Sequence, residues 1–502
     1  MAVPAPQRET AAFLERLAGA APIETHASLV FVGKDTVWKL KKAVRLPFLD
    51  FTRIEDRRRF AERELALNAP AAAGLYRDVV PVIRRPDGSL ALGEGPGRPA
   101  DWVLRMARVP RGDFLDEMAR EGRIGPPLLD ALADVVAAYH AALPPVRGVV
   151  PRMDQIARGN QRSAQEAGLP DDTVSEWTAT MLATLDRLGP WMAQRAAEGF
   201  VRRAHGDLHL GNLCMWRGRP VPFDALEFDE AMATIDLGYD LAFLLMDLEH
   251  RVSRAAANRV MNRYIARNGD VGLVRGLPAF LSMRAMVRAH VEARIGRTDP
   301  APYLNASMNY LRPSPPVMVA IGGLPGTGKS TLARALAPTL GAAPGALVLR
   351  SDEIRKRRFG VAPEQRLPPA AYEEHVSAAV FATLIADAGR AVAAGHTTIA
   401  DATFLDPAHR QALRTEAEAR GVKLHGFWLQ APLSALEARI ERRRGDASDA
   451  SVAVLRSAAA NDPGPGNWEP IDTTDLATAI EFVKARLSSA DAPAPHSPAA
   501  SA

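Results

Sequence analysis

The chain has 502 residues, 47% of them hydrophobic, enough for two or three separate cores. Its 62 basic and 58 acidic residues nearly cancel to a formal +4, so composition gives little support to a nucleic-acid-binding role. The single cysteine, Cys214, excludes an intramolecular disulfide and a cysteine-based zinc site; with no secretory leader and no apolar run of spanning length, a reducing cytoplasm is expected.

Residues 8–20 pattern as an amphipathic helix with Phe13, Leu14 and Leu17 on one side. Two strands follow around a turn at Gly33-Lys34-Asp35. In the second, residues 36–41, alternation puts Lys39 and Lys41 on one face and Trp38 and Leu40 on the other. A lysine facing a cleft could hold phosphates; one on an exposed edge would be solvated. A charged helix over about 53–68 carries Glu62 and Glu64, and further strands are expected at 79–83 and 102–106. From Pro126 the pattern turns helical, first over 128–143 and then around 177–195.

His205-Gly-Asp-Leu-His-Leu-Gly-Asn212 then precedes two short strands, 213–216 and 221–224, joined at Arg217-Gly218. Such a hairpin brings Asp207, Asn212 and Asp224 to one end. A carboxylate that accepts a hydroxyl proton and oxygen atoms that ligate a metal are what a magnesium–nucleotide site needs.

Residues 24–300 resemble the aminoglycoside phosphotransferase branch of the protein-kinase-like fold, with its choline-kinase and fructosamine-kinase-like relatives. The resemblance rests on the His205–Asn212 motif. It implies Asp207 as catalytic base, Asn212 and Asp224 as Mg²⁺ ligands, and Lys39 with Glu64 as the phosphate-holding ion pair, Lys41 and Glu62 being the alternatives. It also implies an adenine-side hinge over Met106 to Val109 and a bracing role for Asp240. This sequence departs from the pattern in having no Gly-x-Gly-x-x-Gly loop before Lys39, and Ala225 where a glycine follows the metal-binding Asp. The helical, basic stretch 255–311 (Arg284, Arg288, Arg294, Arg297) reads either as a wall of the substrate pocket or as a solvated face.

Pro313-Ser314-Pro315-Pro316 is a stiff linker. Beyond it a β-prone run, 317–321, ends in a glycine loop, and a helical pattern begins near Lys329. Gly323-x-x-x-x-Gly328-Lys329-Ser330 fits a phosphate-cradling loop. Its glycines, including Gly326, turn backbone N–H groups of the Gly323–Thr331 stretch, Thr327 among them, toward phosphate oxygens. Lys329 would neutralise the β- and γ-phosphates, and the Ser330 hydroxyl would ligate Mg²⁺. Strands at 346–349, 397–400 and 425–429 alternate with helices, which implies a parallel sheet. Lys329, Ser330, Asp352, Arg355, Asp401 and Thr403 fall at strand carboxyl ends, where ligands collect in such sheets.

This part resembles small P-loop kinases: zeta toxins, gluconate- and shikimate-kinase-like enzymes, and the kinase part of polynucleotide kinases. The matching stretches are Ser351-Asp-Glu-Ile-Arg355 and Asp401-Ala-Thr-Phe-Leu-Asp-Pro-Ala-His-Arg410. The resemblance implies that Asp352 activates the acceptor hydroxyl, that Arg355 positions the acceptor and that Asp401 supports Mg²⁺. It also implies that residues 441–449 form a lid in which Arg442, Arg443 or Arg444 meets the transferring phosphoryl group. The whole chain resembles bacterial two-domain proteins that join an aminoglycoside-phosphotransferase-like domain to a P-loop ATP-binding domain.

The expected fold is an α+β kinase-like domain over 1–312, with a β-rich small lobe at about 24–109 and a helical lobe at about 110–312. A linker at 313–316, an α/β P-loop domain over 317–488 and a disordered tail at 489–502 complete the expectation. The expected activity is ATP- and Mg²⁺-dependent phosphoryl transfer at two sites to a hydroxyl of a small molecule: a sugar, a sugar phosphate or a similar metabolite. The competing readings are a catalytic P-loop domain regulated by a ligand-binding first domain, a polynucleotide 5′-hydroxyl kinase, and a non-enzymatic ATP-dependent switch. No membrane partner is expected, and nucleic acid is not the favoured partner.

Overall fold

The computed structural model describes residues 3–46, 49–296, 298–443 and 445–490. It divides into two compact units, Met1–Ala256 with Ala279–Leu311, and Ala257–Pro278 with Arg312–Ala502.

The first unit is an α+β fold. Its antiparallel sheet runs Ile23–Glu24, Ser28–Val32, Thr36–Lys41, Arg98–Ala107, Tyr76–Arg84, Leu90–Leu92 in spatial order. Alternation along Thr36–Lys41 sends Trp38 and Leu40 into a cluster with Leu29, Phe31, Val82 and Val103, which leaves Lys39 and Lys41 on the opposite face. Helix Ile54–Asn68 supplies Glu64 to them. It opens with Glu55 and Asp56, charges that suit the positive end of a helix.

The helical part includes Pro126–Ala142, Met153–Glu166, Asp171–Glu198 and Leu237–Arg251. Every residue from Leu237 to Leu248 is buried, so the last of these is a core helix. The strands Leu213–Trp216 and Arg219–Pro222 pair as expected. Their turn puts Arg217 and Gly218 in the left-handed region, at φ 52° and 80°, matching the twist of a tight hairpin.

The second unit is an α/β domain with a parallel five-stranded sheet. Its order is Leu347–Arg350, Thr398–Asp401, Met318–Gly323, Leu424–Gln430, Glu469–Asp472. The central strand leads into the glycine loop. Val319, Ile321, Ile399 and Phe427 pack with Leu332 and Leu336 of helix Lys329–Leu336 and with Val483 and Leu487 of helix Leu476–Ala490.

Three expectations need correction. A single boundary at 313–316 is replaced by a chain that crosses between units, because residues 257–278 belong to the second unit. The reason is an edge strand with free backbone groups: the amides of Asn258 and Asn262 donate to Ala346 O at 3.0 and 3.2 Å, and Asn262 Oδ1 accepts from Val348 N at 2.6 Å. Second, among the described residues one helix, Glu374–Ala393, is long and apolar enough in composition to cross a membrane. Its Val376, Val380, Phe381, Leu384 and Ala388 are buried within the domain. Third, helix Leu476–Ala490 runs into the stretch expected to be a disordered tail; residues 491–502 of that stretch lie outside the described residues. The Met153–Glu166 helix, the Glu469–Asp472 strand and helix Val452–Ala460 have no counterpart among the expected elements.

Candidate functional site

In the first unit the sheet and helix Ile54–Asn68 face each other across a charged cluster. Lys39 Nζ bonds Glu64 Oε1 at 2.7 Å and Asp224 Oδ1 at 2.5 Å, which joins three residues far apart in sequence. Lys41 Nζ bonds the other Glu64 oxygen at 2.8 Å and also meets Glu227. Burial opposes the charge of Glu64, but Lys39 and Lys41 hold its pKa down at about 2. Burial likewise opposes the Lys39 ammonium, and Asp224 and Glu64 outweigh it, raising its pKa well above the usual lysine value. Glu62, the alternative partner, instead pairs with Arg58 at 2.8 Å on the exposed side of its helix.

Asp224 takes a left-handed backbone at φ 60°, uncommon for a residue with a side chain. Two side chains hold that conformation: the Tyr76 hydroxyl accepts from Asp224 N at 2.9 Å, and Asn68 Oδ1 accepts from Ala225 N at 2.9 Å. The loop carrying Asp207 is fixed by Asp240, which accepts from His205 N at 3.1 Å and Gly206 N at 2.9 Å. Asp247 adds a bond from Leu210 N at 3.0 Å. Asn212 Nδ2 donates to Asp207 O and Oδ2, both at 2.9 Å. Desolvation opposes the charge of Asp207, and His209, His205 and Arg284 outweigh it and hold the carboxyl well below the usual range.

Met106 and Val109 pack with Phe223 against the apolar cluster of Leu75, Tyr76, Ala107, Cys214 and Val221. Arg284 is buried over the rings of Tyr239, at 3.8 Å, and Phe243, at 4.7 Å. Arg288 pairs with Glu292 and Arg294 with Glu166. Of the four arginines singled out in this stretch, Arg284 is thus stacked, Arg288 and Arg294 are paired with acids, and Arg297 lies outside the described residues.

In the second unit the glycine loop has the backbone only glycine accepts readily, with φ 131° at Gly323, 86° at Gly326 and 90° at Gly328. A Cβ at Gly323 would lie 2.4 Å from Leu429 O, and one at Gly326 would lie 2.9 Å from Leu436 O. Thr327 is buried and closes the turn by donating to Leu324 O at 2.8 Å. Lys329 Nζ donates to Gly323 O and Leu324 O, each at 2.9 Å, and burial lowers its pKa. Ser330 Oγ donates to Asp401 Oδ2 at 2.6 Å. Gly326, Lys329, Ser330 and Asp401 border a cavity of about 1090 Å³, whose lining also includes Gly328, Thr331, Asp352, Arg355, Thr403, Arg442 and Arg443. Burial raises the pKa of Asp352 against the pull of Arg350. Arg444 lies outside the described residues.

Several contributors were not anticipated. Arg350 ties Asp401 to Glu353 and to Asp446 of the expected lid, at 3.3, 2.8 and 2.8 Å. Asp449 accepts from Lys356 Nζ, Leu367 N and Tyr372 Oη at 2.6, 3.0 and 2.6 Å. Arg439 borders the cavity and reaches Gly326 O at 3.4 Å. The acids of the lid stretch were visible signals beside its arginines; the roles of Glu227, Tyr76 and Arg350 had no local signature.

Asn212 and Asp224 in one unit, and Ser330 and Asp401 in the other, are oxygen donors of the kind a hard cation takes. Among the described residues no group of three or more His, Cys, Asp and Glu forms a cage for a metal ion. That donor set fits Mg²⁺, which keeps water and phosphate oxygens in its shell.

Residues 318–462 match the family model described as AAA domain. An uncharacterized protein of Mycobacterium tuberculosis is 28% identical over 469 residues, covering 90% of this chain and 91% of that protein. A sugar kinase from Janibacter sp. aligns with a TM-score of 0.28 at 19% identity, over 35% of this chain and 95% of the other. Choline kinase from Cryptosporidium parvum aligns with a TM-score of 0.35 at 11% identity, over 58% of this chain and 86% of the other.

Proposed function

We propose that this chain, a kinase-like unit joined to a P-loop kinase unit, is a phosphotransferase with two Mg–ATP sites. Each site moves a γ-phosphoryl group to a hydroxyl of a small molecule such as a sugar, a sugar phosphate or a similar metabolite. The observation that carries the reading is the meeting of Lys329, the Ser330–Asp401 pair and Asp352 on one cavity at the carboxyl ends of parallel strands.

In the second unit the glycine loop and Lys329 hold the phosphates, while Ser330 and Asp401 hold Mg²⁺. The cation, when bound, neutralises charge on the β- and γ-phosphate oxygens. Asp352 takes the proton of the acceptor hydroxyl as the oxygen–γ-phosphorus bond forms and the bond to the β,γ-bridging oxygen breaks. ADP leaves with that electron pair. Arg355 positions the acceptor, and Arg442 or Arg443 meets the developing charge. In the first unit Asp207 is the base, Asn212 and Asp224 hold Mg²⁺, and Lys39, oriented by Glu64, holds phosphate. Met106 to Val109 borders the adenine. We place the protein in the cytoplasm, with one catalytic site in each of the two units.

The test is transfer from γ-labelled ATP to a pool of metabolites, sugars and aminoglycosides, with Asp207→Ala and Asp352→Ala in parallel. Labelled product lost in one variant assigns that transfer to its unit. Label released only as free phosphate, unchanged by either substitution, would sink the reading.

A further inference from the structure

The two halves of the second site stand on different strands. The phosphate half, Gly323 to Ser330, follows the central strand Met318–Gly323, which has a strand on each side. The other half, Arg350 and Asp352, stands on strand Leu347–Arg350 and helix Ser351–Arg358. That strand is an edge of the sheet, with Thr398–Asp401 as its strand neighbour. Its outward backbone groups need partners from elsewhere.

Residues 257–278 supply them. Leu347 N donates inward to Thr397 O at 2.9 Å, so Ala346 O and Val348 N face the other way. The Asn262 carboxamide spans both: Nδ2 donates to Ala346 O at 3.2 Å, and Oδ1 accepts from Val348 N at 2.6 Å. One residue of a neighbouring parallel strand would present the same donor and acceptor, so this side chain takes the place of a further strand. Asn258 adds a bond from Nδ2 to Ala346 O at 3.0 Å, and its Oδ1 accepts from Asn262 Nδ2 at 3.0 Å.

The same segment holds the next element. Arg357, on the helix that carries Asp352, donates from Nη1 to Ala266 O at 3.2 Å. It also lies 3.7 Å from Asp387 Oδ2 of helix Glu374–Ala393. Gly269, at φ 78°, lets the chain pass beside that guanidinium; a Cβ there would lie 3.1 Å from Arg357 Nε. Val271, Leu273 and Val274 are buried, and their turn packs on helix Glu374–Ala393. All of these contacts start upstream of the stretch 318–462 that matches a family model.

We propose that residues 257–278 are a working part of the second site, with Asn262 and Arg357 as positioning residues for its acceptor half. They hold Arg350 and Asp352 in place, while the phosphate half stands without them. The role of Asp352 as base rests on the phosphotransferase reading.

The test uses the full chain carrying Asp207→Ala, so that transfer comes from the second unit alone. Asn262→Leu, Asn262→Asp and Arg357→Met are each added to it. Three quantities are followed: hydrogen–deuterium exchange, calorimetric binding of a non-hydrolysable ATP analogue with Mg²⁺, and label transfer from ATP to the metabolite pool. Asn262→Leu and Arg357→Met should speed exchange in 346–358 by about tenfold or more. They should leave exchange in 318–332 and the analogue's Kd within about threefold, and slow transfer about ten- to a hundredfold. Asn262→Asp keeps an acceptor for Val348 N, and Asn258 still serves Ala346 O, so it should recover part of both losses. Unchanged exchange in 346–358 overturns the proposal. So does an equal rise in 318–332 with an equal loss of analogue binding, the mark of general destabilisation. Faster exchange in 346–358 beside an unchanged transfer rate overturns it as well. If the Asp207→Ala parent binds the analogue yet labels no product, the phosphotransferase reading of this unit fails instead. Exchange and binding then still decide whether 257–278 holds this half of the site.

Discussion

The Ser330 hydroxyl donates to Asp401 Oδ2 over 2.6 Å, which links the first turn of the helix after the glycine loop to the end of a neighbouring parallel strand. Asp401 orients the hydroxyl that would face Mg²⁺. Ser330→Ala and Asp401→Asn should therefore each weaken Mg–ATP binding by about ten- to a hundredfold, the usual cost of losing a metal ligand's support. ATP binding in the presence of a chelator should change far less. Equal losses with and without Mg²⁺, measured by titration calorimetry, would contradict this role.

Glu64 is fully buried and serves both Lys39 and Lys41. Glu64→Ala leaves two ammonium groups in the interior with reduced compensation and should destabilise the first unit by about 3–5 kcal/mol. Glu64→Gln keeps hydrogen-bonding atoms and should cost less. Urea unfolding followed by circular dichroism distinguishes the two, and a change under about 1 kcal/mol for Glu64→Ala would contradict the assignment.

The two candidate bases are pushed in opposite directions. Burial raises the pKa of Asp352 above 3.8, while Asp207, despite desolvation, is held below 3.8 by His209 and its neighbours. A carboxylate base works above its pKa and fails as pH falls through it. Activity that survives Asp207→Ala should therefore lose its rate at a higher pH on the acid side than activity that survives Asp352→Ala. Coincident acid limbs in the kcat/KM profiles would refute this.

His290 has its pKa lowered from 6.5 to about 4 by burial, with Arg294 adding to the effect. Between those values the unfolded chain binds a proton that the folded chain refuses. Unfolding free energy should thus fall as pH drops from 6.5 toward 4. His290→Gln should flatten that slope, which thermal melts across the window would record. An unchanged slope would mean that other groups set the acid sensitivity.

The glycine loop was legible because its chemistry is local. Three glycines with positive φ, a lysine and a serine fall within the eight residues 323–330, and the same spacing that forms the turn aims the phosphate-binding groups. The His205–Asn212 stretch was legible for the same reason. Asp207 and Asn212 are five residues apart, and a short loop brings the amide onto the carboxylate. Lys39, Glu64 and Asp224 were different: only the resemblance joined them, since nothing in the intervening sequence says which lysine meets which acid. Glu62 and Glu64 differ by about half a helical turn, enough to face one toward Arg58 in solvent and the other toward the buried lysines.

By itself the sequence determined what periodicity and backbone chemistry control: the strand–loop–helix of the glycine loop, the hairpin at Arg217-Gly218, the alternation of Lys39 with Trp38, and the parallel α/β order after Val317. Only the tertiary structure decided which distant charges neutralise one another. It gave Glu64 two lysines, used Arg350 to join Asp401 to Asp446, and folded residues 257–278 onto an edge strand of the second unit. The physical reason is range. Turn geometry and side-chain alternation act over a few residues, whereas a buried charge or an unpaired strand edge is satisfied by whichever group the packing delivers.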